Sequence, residues 1–161
     1  EASESYFSEI CSTHTYEERI ETIKRVKEAG LQSCSGGIIG MGESWRQRVE
    51  LAFALKELDV DSVPVNVLNA VPGTALAQQK RLQPLEILQA FAIFRMVLPK
   101  KIIRYAGGRE HNLGELVPLG FLSGINGMLL GNYLTTSGRG PEQDLKTVNG
   151  LGLSPLSLEE R

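Results

Sequence analysis

Cysteine and histidine are scarce in this chain of 161 residues, which contains two of each. The two cysteines, Cys11 and Cys34, are too few for the disulfide framework that stabilises small secreted domains. The two histidines, His14 and His111, lack the spacing that would let both bind one metal ion. We therefore expect a cytoplasmic protein with reduced thiols and without a histidine metal site.

The chain also lacks a charge excess and a long apolar run. It carries 17 basic and 19 acidic side chains, for a net charge of −2, whereas nucleic-acid-binding domains normally have a basic face. No apolar run approaches the roughly 20 residues that cross a bilayer. The polar, acidic stretch from Glu1 to Glu9 is unlike a signal peptide. Nucleic-acid and membrane partners are therefore not expected.

Helical and strand patterns alternate along the rest of the sequence. Thr15 to Glu18 and Ser44 to Gln47 have the spacing of capping boxes, and they predict helices that end at Gly30 and Leu58. Further helices are predicted at 85–98, 112–121 and 140–149, and strands at 31–40, 61–68, 101–105 and 126–133. This order indicates four strand–helix units with parallel strands and right-handed crossovers.

Two architectures fit four such units, an open doubly wound sheet and part of an eight-stranded α/β barrel. A whole barrel needs about 250 residues, so this chain holds roughly half of one. We expect one domain over residues 1–153 and a loose tail over 154–161. Because Glu1 rather than methionine comes first and leads into a helical stretch, we expect a fragment of a longer protein.

Three polar residues interrupt the predicted apolar strands: Cys34, Asn66 and Arg104. Parallel α/β sheets bind ligands at the carboxyl ends of their strands, and polar groups on an apolar wall are costly unless a partner satisfies them. Taken singly, Cys34 could be a small core residue, Asn66 could bond the backbone and Arg104 could be a surface cation. Their recurrence in consecutive units favours one shared site.

The segment CSGGIIGMGE, from Cys34 to Glu43, is rich in glycine and isoleucine. Glycine lets a backbone approach a flat ligand closely, and isoleucine offers an apolar surface to a planar base. The segment lacks the G-x-G-x-x-G order of dinucleotide sites and is not a phosphate loop. Its composition alone is therefore weak evidence for nucleotide binding.

The pattern Gly36-x-Ile38-x-Gly40-x-x-Glu43 resembles the adenine-contacting motif of radical S-adenosylmethionine barrels. With the segments DSVPVNVL, IIRYAGGRE and GFLSGINGMLLGNYLTTSGRGPEQD after it, the chain resembles the biotin synthase family from Glu1 to about Leu153. The resemblance implies the C-terminal half of a TIM-type (β/α)8 barrel with four parallel strand–helix units. The apolar faces of four residues are then expected to lack partners across the barrel: Ile38, Val65, Ile103 and Leu129.

The same resemblance implies an activity and roles for single residues. The family inserts sulfur into dethiobiotin to form biotin, using S-adenosylmethionine, a 4Fe–4S cluster and a sulfur-donating 2Fe–2S cluster. Cys34 and Arg104 match ligands of the 2Fe–2S cluster, and Asn66 matches a residue that bonds the ureido ring of dethiobiotin. The residues that match the S-adenosylmethionine site are Glu1, Arg19, Gly36, Ile38 and Gly40.

The chain departs from the family in lacking the C-x-x-x-C-x-x-C triplet that holds the 4Fe–4S cluster. We therefore expect no catalysis by this chain alone. For the full-length protein the resemblance implies a homodimer and an electron donor such as flavodoxin. Two alternatives stay open, a radical protein of the hydrogenase-maturase type and an inactive half-barrel that binds a partner. We expect Cys11 to be inert and Arg109 to form an ordinary salt bridge with Glu110 or a neighbour.

Overall fold

The computed structural model describes residues 1–133 and 137–156. Within these ranges the first predicted tail residues, 154–156, are exposed and outside regular secondary structure. The rest of the predicted tail, 157–161, and residues 134–136 of the last predicted strand-to-helix connection lie outside the described residues. No helix of the described residues is long and apolar enough to cross a membrane.

Helices and strands alternate as the sequence predicts. The strands are β1 (Gly37–Ile39), β2 (Ser62–Val67), β3 (Ile102–Tyr105) and β4 (Gly127–Met128). The helices are α1 (Glu4–Ile10), α2 (Tyr16–Glu28), α3 (Trp45–Glu57), α4 (Pro84–Val97), α5 (Arg109–Leu113), α6 (Val117–Leu122) and α7 (Pro141–Gly150), with a 3-10 turn at Gly114–Leu116.

The strands form one parallel sheet in the order β1-β2-β3-β4. Sequential order with a helix between neighbouring strands is the arrangement of a barrel segment, since a doubly wound sheet reverses direction at a switch point. The described part of the sheet therefore has the barrel order.

Both predicted capping boxes are confirmed. Thr15 accepts a hydrogen bond from the backbone of Glu18 at the start of α2, and Ser44 accepts one from Gln47 at the start of α3. The glutamate and glutamine side chains bond back to the cap residues, so each box satisfies two otherwise unpaired amide groups.

The strands are shorter than predicted, and one helix is divided. The segment around Cys34 meets β2 through a single bridge to Ser62 before β1 begins. The predicted helix over 112–121 is split by Gly114, whose φ of 52° belongs to the left-handed region. Glycine adopts this conformation without a steric penalty, so the chain turns there between α5 and α6.

The core lies between the sheet and the helices. Val65 and Ile103 are 1% and 0% exposed and belong to this core, so the prediction that they face the barrel interior is wrong. Side chains alternate between the faces of a strand, and Val63, Val65 and Val67 take the helix side of β2. Ile38 is only partly buried and Leu129 is 41% exposed.

A groove of about 650 Å³ opens along the edge of β1, beneath α2. Its apolar wall comes from α2 and α3 and includes Ile20, Ile23, Leu51 and Leu55. Although its residues have an amphipathic pattern, α2 has no fully buried residue. The chain thus leaves one edge of the sheet open, whereas a closed barrel has no such edge.

An ion-pair cluster joins three segments at the amino-terminal ends of the strands. Lys27 Nζ lies 2.9 Å from Asp59 Oδ2, and Lys101 Nζ lies 2.5 Å from Asp59 Oδ1. The hydrogen bond from Lys101, followed by that from Lys27, lowers the pKa of Asp59 to about 2. The cluster therefore joins the end of α2, the turn after α3 and the residue before β3.

We predict a matching pH dependence for Asp59. Because its pKa in the folded chain is below that in the unfolded chain, Asp59 contributes stability above about pH 4. This contribution is lost as the pH falls through about 2. An NMR titration of the Asp59 carboxyl carbon should show this low midpoint, and Lys101→Ala should raise it. Lys80→Ala, near the carboxyl ends of the strands, is the control. An equal rise of the Asp59 midpoint in that variant would contradict the assignment of the low pKa to the Lys101 contact.

Candidate functional site

The three polar residues of the predicted strands lie on one face of the sheet. Cys34 is bridged to Ser62, and Arg104 pairs with Pro64. Asn66 follows at the same two-residue interval along β2, and side chains two residues apart share a face. Cys34, Arg104 and Asn66 therefore all lie on the face opposite the helix-covered core.

The three residues stand at three successive levels on this face, two residues apart along β2. Cys34 and Arg104 flank Ser62 and Pro64 in the first half of β2, whereas Asn66 stands near its carboxyl end. Four residues of strand separate the level of Cys34 from that of Asn66, which is about 13 Å. The expectation that all three mark carboxyl strand ends is therefore wrong for Cys34, because the chain reaches the sheet at Cys34 before β1 begins.

Ser62 fixes the orientation of Arg104, and sequence reasoning missed it. Arg104 Nε donates a hydrogen bond to Ser62 Oγ at 2.6 Å, leaving the two terminal nitrogens for other partners. Ser62 is 4% exposed and bridges to Cys34. A serine at the start of a strand carries no signal of this contact, which depends on the pairing of β2 with β3.

The Asn66 amide is held in one orientation by its neighbours. Its Oδ1 accepts a hydrogen bond from the backbone N–H of Gly107 at 2.8 Å. An N–H group can only donate, so the atom that faces Gly107 must be the amide oxygen. Its Nδ2 has a long contact of 3.5 Å with Gly37 O. The amide therefore keeps an N–H for a ligand on the open face.

The turn after β1 is held by a buried carboxylate. Glu43 accepts hydrogen bonds from the backbone N–H groups of Gly40 and Met41, both at 2.8 Å. Arg48 Nε lies 2.7 Å from Glu43 Oε1, and the two side chains are 5% and 6% exposed. Tyr6 OH also donates to Met41 O at 2.9 Å. Arg48 and Tyr6 were not among the predicted site residues, because periodicity does not show which arginine or tyrosine faces inward.

Gly36 is needed for the approach of two strands. A Cβ at this position would lie 1.9 Å from Pro64 O of the neighbouring strand. Gly40 has a φ of 92° and directs the chain into the turn that Glu43 holds. Both glycines thus shape the backbone around Ile38, which lies beside Asn66 in the register of β1 and β2.

Glu1 and Arg19 are brought together at the outer edge of β1, where the backbone of Glu1 pairs with the strand. Arg19 Nη2 lies 2.7 Å from Glu1 Oε1, and both side chains are about half exposed. The amino nitrogen of Glu1 donates to Gly36 O, and the N–H of Ile38 donates to Glu1 O. Four residues predicted for one cofactor thus meet at this edge: Glu1, Arg19, Gly36 and Ile38.

The residues present fit part of an iron–sulfur ligand set. Within residues 1–133 and 137–156, no three histidine, cysteine or acidic side chains form a metal-binding group. Cys34 is a free, exposed thiol, and Arg104 has two terminal nitrogens without a partner among the described hydrogen bonds. Thiolates are the usual ligands of such clusters, so this face offers one usual ligand, Cys34, with the Arg104 guanidinium near it, and a cluster would need further ligands.

Comparison with family models identifies the larger part of this structure. Residues 64–154, which run from the middle of β2 to just beyond α7, match the model of the Biotin and Thiamin Synthesis associated domain. The match covers more than half of the chain. The chain belongs to this family. Asn66 and Arg104 lie inside the matched domain, and Cys34 lies before it.

Curated relatives extend the likeness over nearly the whole chain. It is 60% identical over 153 residues to the biotin synthase of Carboxydothermus hydrogenoformans, a match that covers 95% of this chain and 47% of the relative. It is 57% identical over 156 residues to the biotin synthase of Pelotomaculum thermopropionicum, covering 97% and 49% of the two chains. This member of the Biotin and Thiamin Synthesis associated domain family thus spans about half the length of its curated relatives.

A solved structure agrees on the fold. Methylornithine synthase superposes with a TM-score of 0.74 at 20% sequence identity, covering 96% of this chain and 50% of the other. At this identity the likeness concerns the fold alone. The predicted half of a TIM-type barrel with four parallel strand–helix units is confirmed.

Proposed function

We propose that this chain supplies half of the barrel of a biotin synthase, which inserts a sulfur atom between two unactivated carbons of dethiobiotin. The observation that carries the proposal is the common face of Cys34, Arg104 and Asn66. Identities of 57% and 60% to biotin synthases over almost the whole chain support it. The proposed domain, residues 1–153, is one such half-barrel.

The levels on this face match two tasks, because the Arg104 side chain reaches back to Ser62, which is level with Cys34. Cys34 and Arg104, flanking Ser62, would hold the 2Fe–2S cluster at the lower level. That cluster supplies the inserted sulfur when bound. The hydrogen bond from Arg104 Nε to Ser62 Oγ directs the terminal guanidinium nitrogens. To bind iron, one of these nitrogens would have to give up or share a proton, because a guanidinium is otherwise only a hydrogen-bond donor.

Asn66 would hold the substrate at the upper level. Since Gly107 occupies the amide oxygen, the free N–H of Asn66 donates to the ureido carbonyl of dethiobiotin. A site built to donate one hydrogen bond discriminates strongly against analogues that lack the acceptor, because its own buried donor would be left unpaired.

The edge of β1 would hold S-adenosylmethionine. Ile38 lies in register with Asn66 and offers an apolar surface to the adenine ring, while Gly36 and Gly40 keep the backbone close to it. Arg19 would bind the carboxylate of the cofactor and Glu1 its ribose hydroxyls. In the structure these two side chains neutralise each other at 2.7 Å, so cofactor binding would exchange one ion pair for another.

Catalysis requires more ligands than this chain holds. It has two cysteines, whereas each cluster is normally bound by four protein ligands. We therefore propose that the 4Fe–4S cluster and the remaining 2Fe–2S ligands come from sequence outside these residues. An electron donor such as flavodoxin and a homodimeric state of the complete enzyme belong to the same proposal.

The proposal predicts activity in a chimera. In this fusion the chain replaces the matched 153 residues of the Carboxydothermus relative, and we refer to the product as the chimera. After anaerobic reconstitution with iron and sulfide, and with S-adenosylmethionine and reduced flavodoxin supplied, it should convert dethiobiotin to biotin and release 5′-deoxyadenosine. Mass spectrometry of both products provides the measurement, and the unmodified relative is the positive control.

The chimera also separates the alternatives. Cleavage of S-adenosylmethionine without biotin, in a preparation that carries both clusters, would contradict the proposed substrate and favour another radical enzyme. A chimera that folds and carries the 4Fe–4S cluster of the relative, but binds neither S-adenosylmethionine nor a 2Fe–2S cluster, would favour an inactive half-barrel.

A further inference from the structure

Arg109 is the one charged residue among the largest fully buried side chains of the described residues, and 0% of its surface is exposed. Its Nη2 donates to Asp144 Oδ2 of α7 at 2.6 Å, and its Nη1 donates to Leu129 O after β4 at 2.9 Å. Its Nε lies 3.0 Å from Glu110 Oε1. The expected pair with Glu110 is thus one of three contacts, and the other two reach elements farther along the chain.

The segment after β4 is attached at both ends to the start of α5. Leu129 is bound through Arg109, and Tyr133 OH donates to Glu110 Oε1 at 3.0 Å. Asp144 has no exposed surface, so α7 is fixed by a buried ion pair. Burial of a charge pair is weak evidence for net stability, and a role in placing these elements explains the pair better.

Arg109 is also joined to the side-chain amide of Asn66 through a short, rigid turn. The N–H of Gly107 donates to Asn66 Oδ1, and Gly107 O accepts from Val67 N at 2.9 Å. Gly108 has a φ of 86°, and a Cβ there would lie 1.9 Å from Val67 O. A single residue, Gly108, therefore separates the backbone that orients Asn66 from the residue whose guanidinium holds the C-terminal elements.

We propose that Arg109 is a positioning residue. It holds the segment Leu129–Tyr133 and α7 in a fixed position relative to the side-chain amide of Asn66, which is proposed to bind the substrate. The inference rests on the proposed function, which gives Asn66 its ligand. Arg109 itself contacts the neighbouring elements and does not lie among the residues proposed to touch dethiobiotin. Its guanidinium satisfies a carbonyl and a carboxylate at once, which an ammonium group with one point charge does not reproduce.

The test compares Arg109→Lys with Arg95→Lys. Arg95 is a matched control because its guanidinium also holds backbone carbonyls, those of Leu98, Pro99, Lys101 and Gly124, but at the amino-terminal edge of β3. In the chimera, Arg109→Lys should raise KM for dethiobiotin about tenfold and lower the yield of biotin per 5′-deoxyadenosine by a similar factor. Arg95→Lys should change neither quantity, even if it lowers the melting temperature as much as Arg109→Lys does.

Hydrogen exchange supplies a readout that does not depend on activity. In the chain itself, Arg109→Lys should accelerate exchange of the Gly107 N–H, and of the Leu129 N–H that donates to Tyr105 O at 3.2 Å, about tenfold more than Arg95→Lys does. Equal effects of both variants, or an unchanged Gly107 N–H, would overturn the inference. If the unsubstituted chimera forms no biotin while the exchange difference is present, the proposed function fails and the placement of these elements by Arg109 stands.

Discussion

Replacing Cys34 by alanine should remove the visible absorbance of the 2Fe–2S cluster from the reconstituted chimera and abolish biotin formation. Cys34 stands beside Ser62, the partner of Arg104, on the open face of the sheet. Removing a thiolate from a set of four ligands leaves a coordination site that water cannot fill with the same affinity. Cleavage of S-adenosylmethionine should persist, because the 4Fe–4S cluster is proposed to take its ligands from sequence outside this chain.

Cys11 provides the matched control for this experiment. It is the only other cysteine, it caps the end of α1, and its Sγ lies 3.6 Å from Thr13 Oγ1 and from His14 Nδ1. These contacts are local and lie away from Ser62 and Arg104. Cys11→Ala should therefore retain both cluster spectra. Loss of the 2Fe–2S spectrum in Cys11→Ala, or its survival in Cys34→Ala, would show that the cluster ligand is misassigned.

The sequence predicts the order of the elements because that order depends on local chemistry. The hydroxyls of Thr15 and Ser44 cap helices through residues three positions away, and such short-range contacts are visible in the sequence. The alternation of strands and helices then restricts the topology to parallel sheets. Length and local pattern left two architectures, and the sequential strand order distinguishes them.

The face on which a buried strand residue lies could not be predicted in the same way. In β2, valines alternate with a serine, a proline and an asparagine. By hydrophobicity alone, however, Val65 and Ile103 could face either the helices or a barrel interior. The choice follows from which face the helices cover, and this depends on the handedness of the crossovers over the whole sheet. The wrong expectation for these two residues has this origin.

Buried charges were the other feature that sequence patterns did not show. Arg48 and Arg109 are 5% and 0% exposed, although arginine is mostly a surface residue. Their acidic partners are Glu43, five residues away, and Asp144, 35 residues away. A partner at such a distance leaves no periodic signal, so the ion pairs that support the candidate site emerge only from the folded arrangement.

Gly36→Ala should destabilise the chain strongly and remove the proposed S-adenosylmethionine site with it. The new Cβ would lie 1.9 Å from Pro64 O and 2.8 Å from Pro64 C. These are backbone atoms of the neighbouring strand, which cannot rotate away, so β1 and β2 must separate. We expect a loss of about 3 kcal/mol in the free energy of unfolding and a fall of about 10 °C in melting temperature.

Gly150→Ala is the control for this substitution. Gly150 is the last residue of α7, its φ is not in the left-handed region, and a Cβ there would meet nothing within 4 Å. Alanine at a helical position should keep or slightly raise stability. Calorimetry of both variants, with equilibrium binding of S-adenosylmethionine to the chimera, provides the measurement. If Gly36→Ala had the same melting temperature as Gly150→Ala and bound S-adenosylmethionine normally, the close approach of β1 to β2 at Pro64 would be disproved. That approach leaves no room for a methyl group.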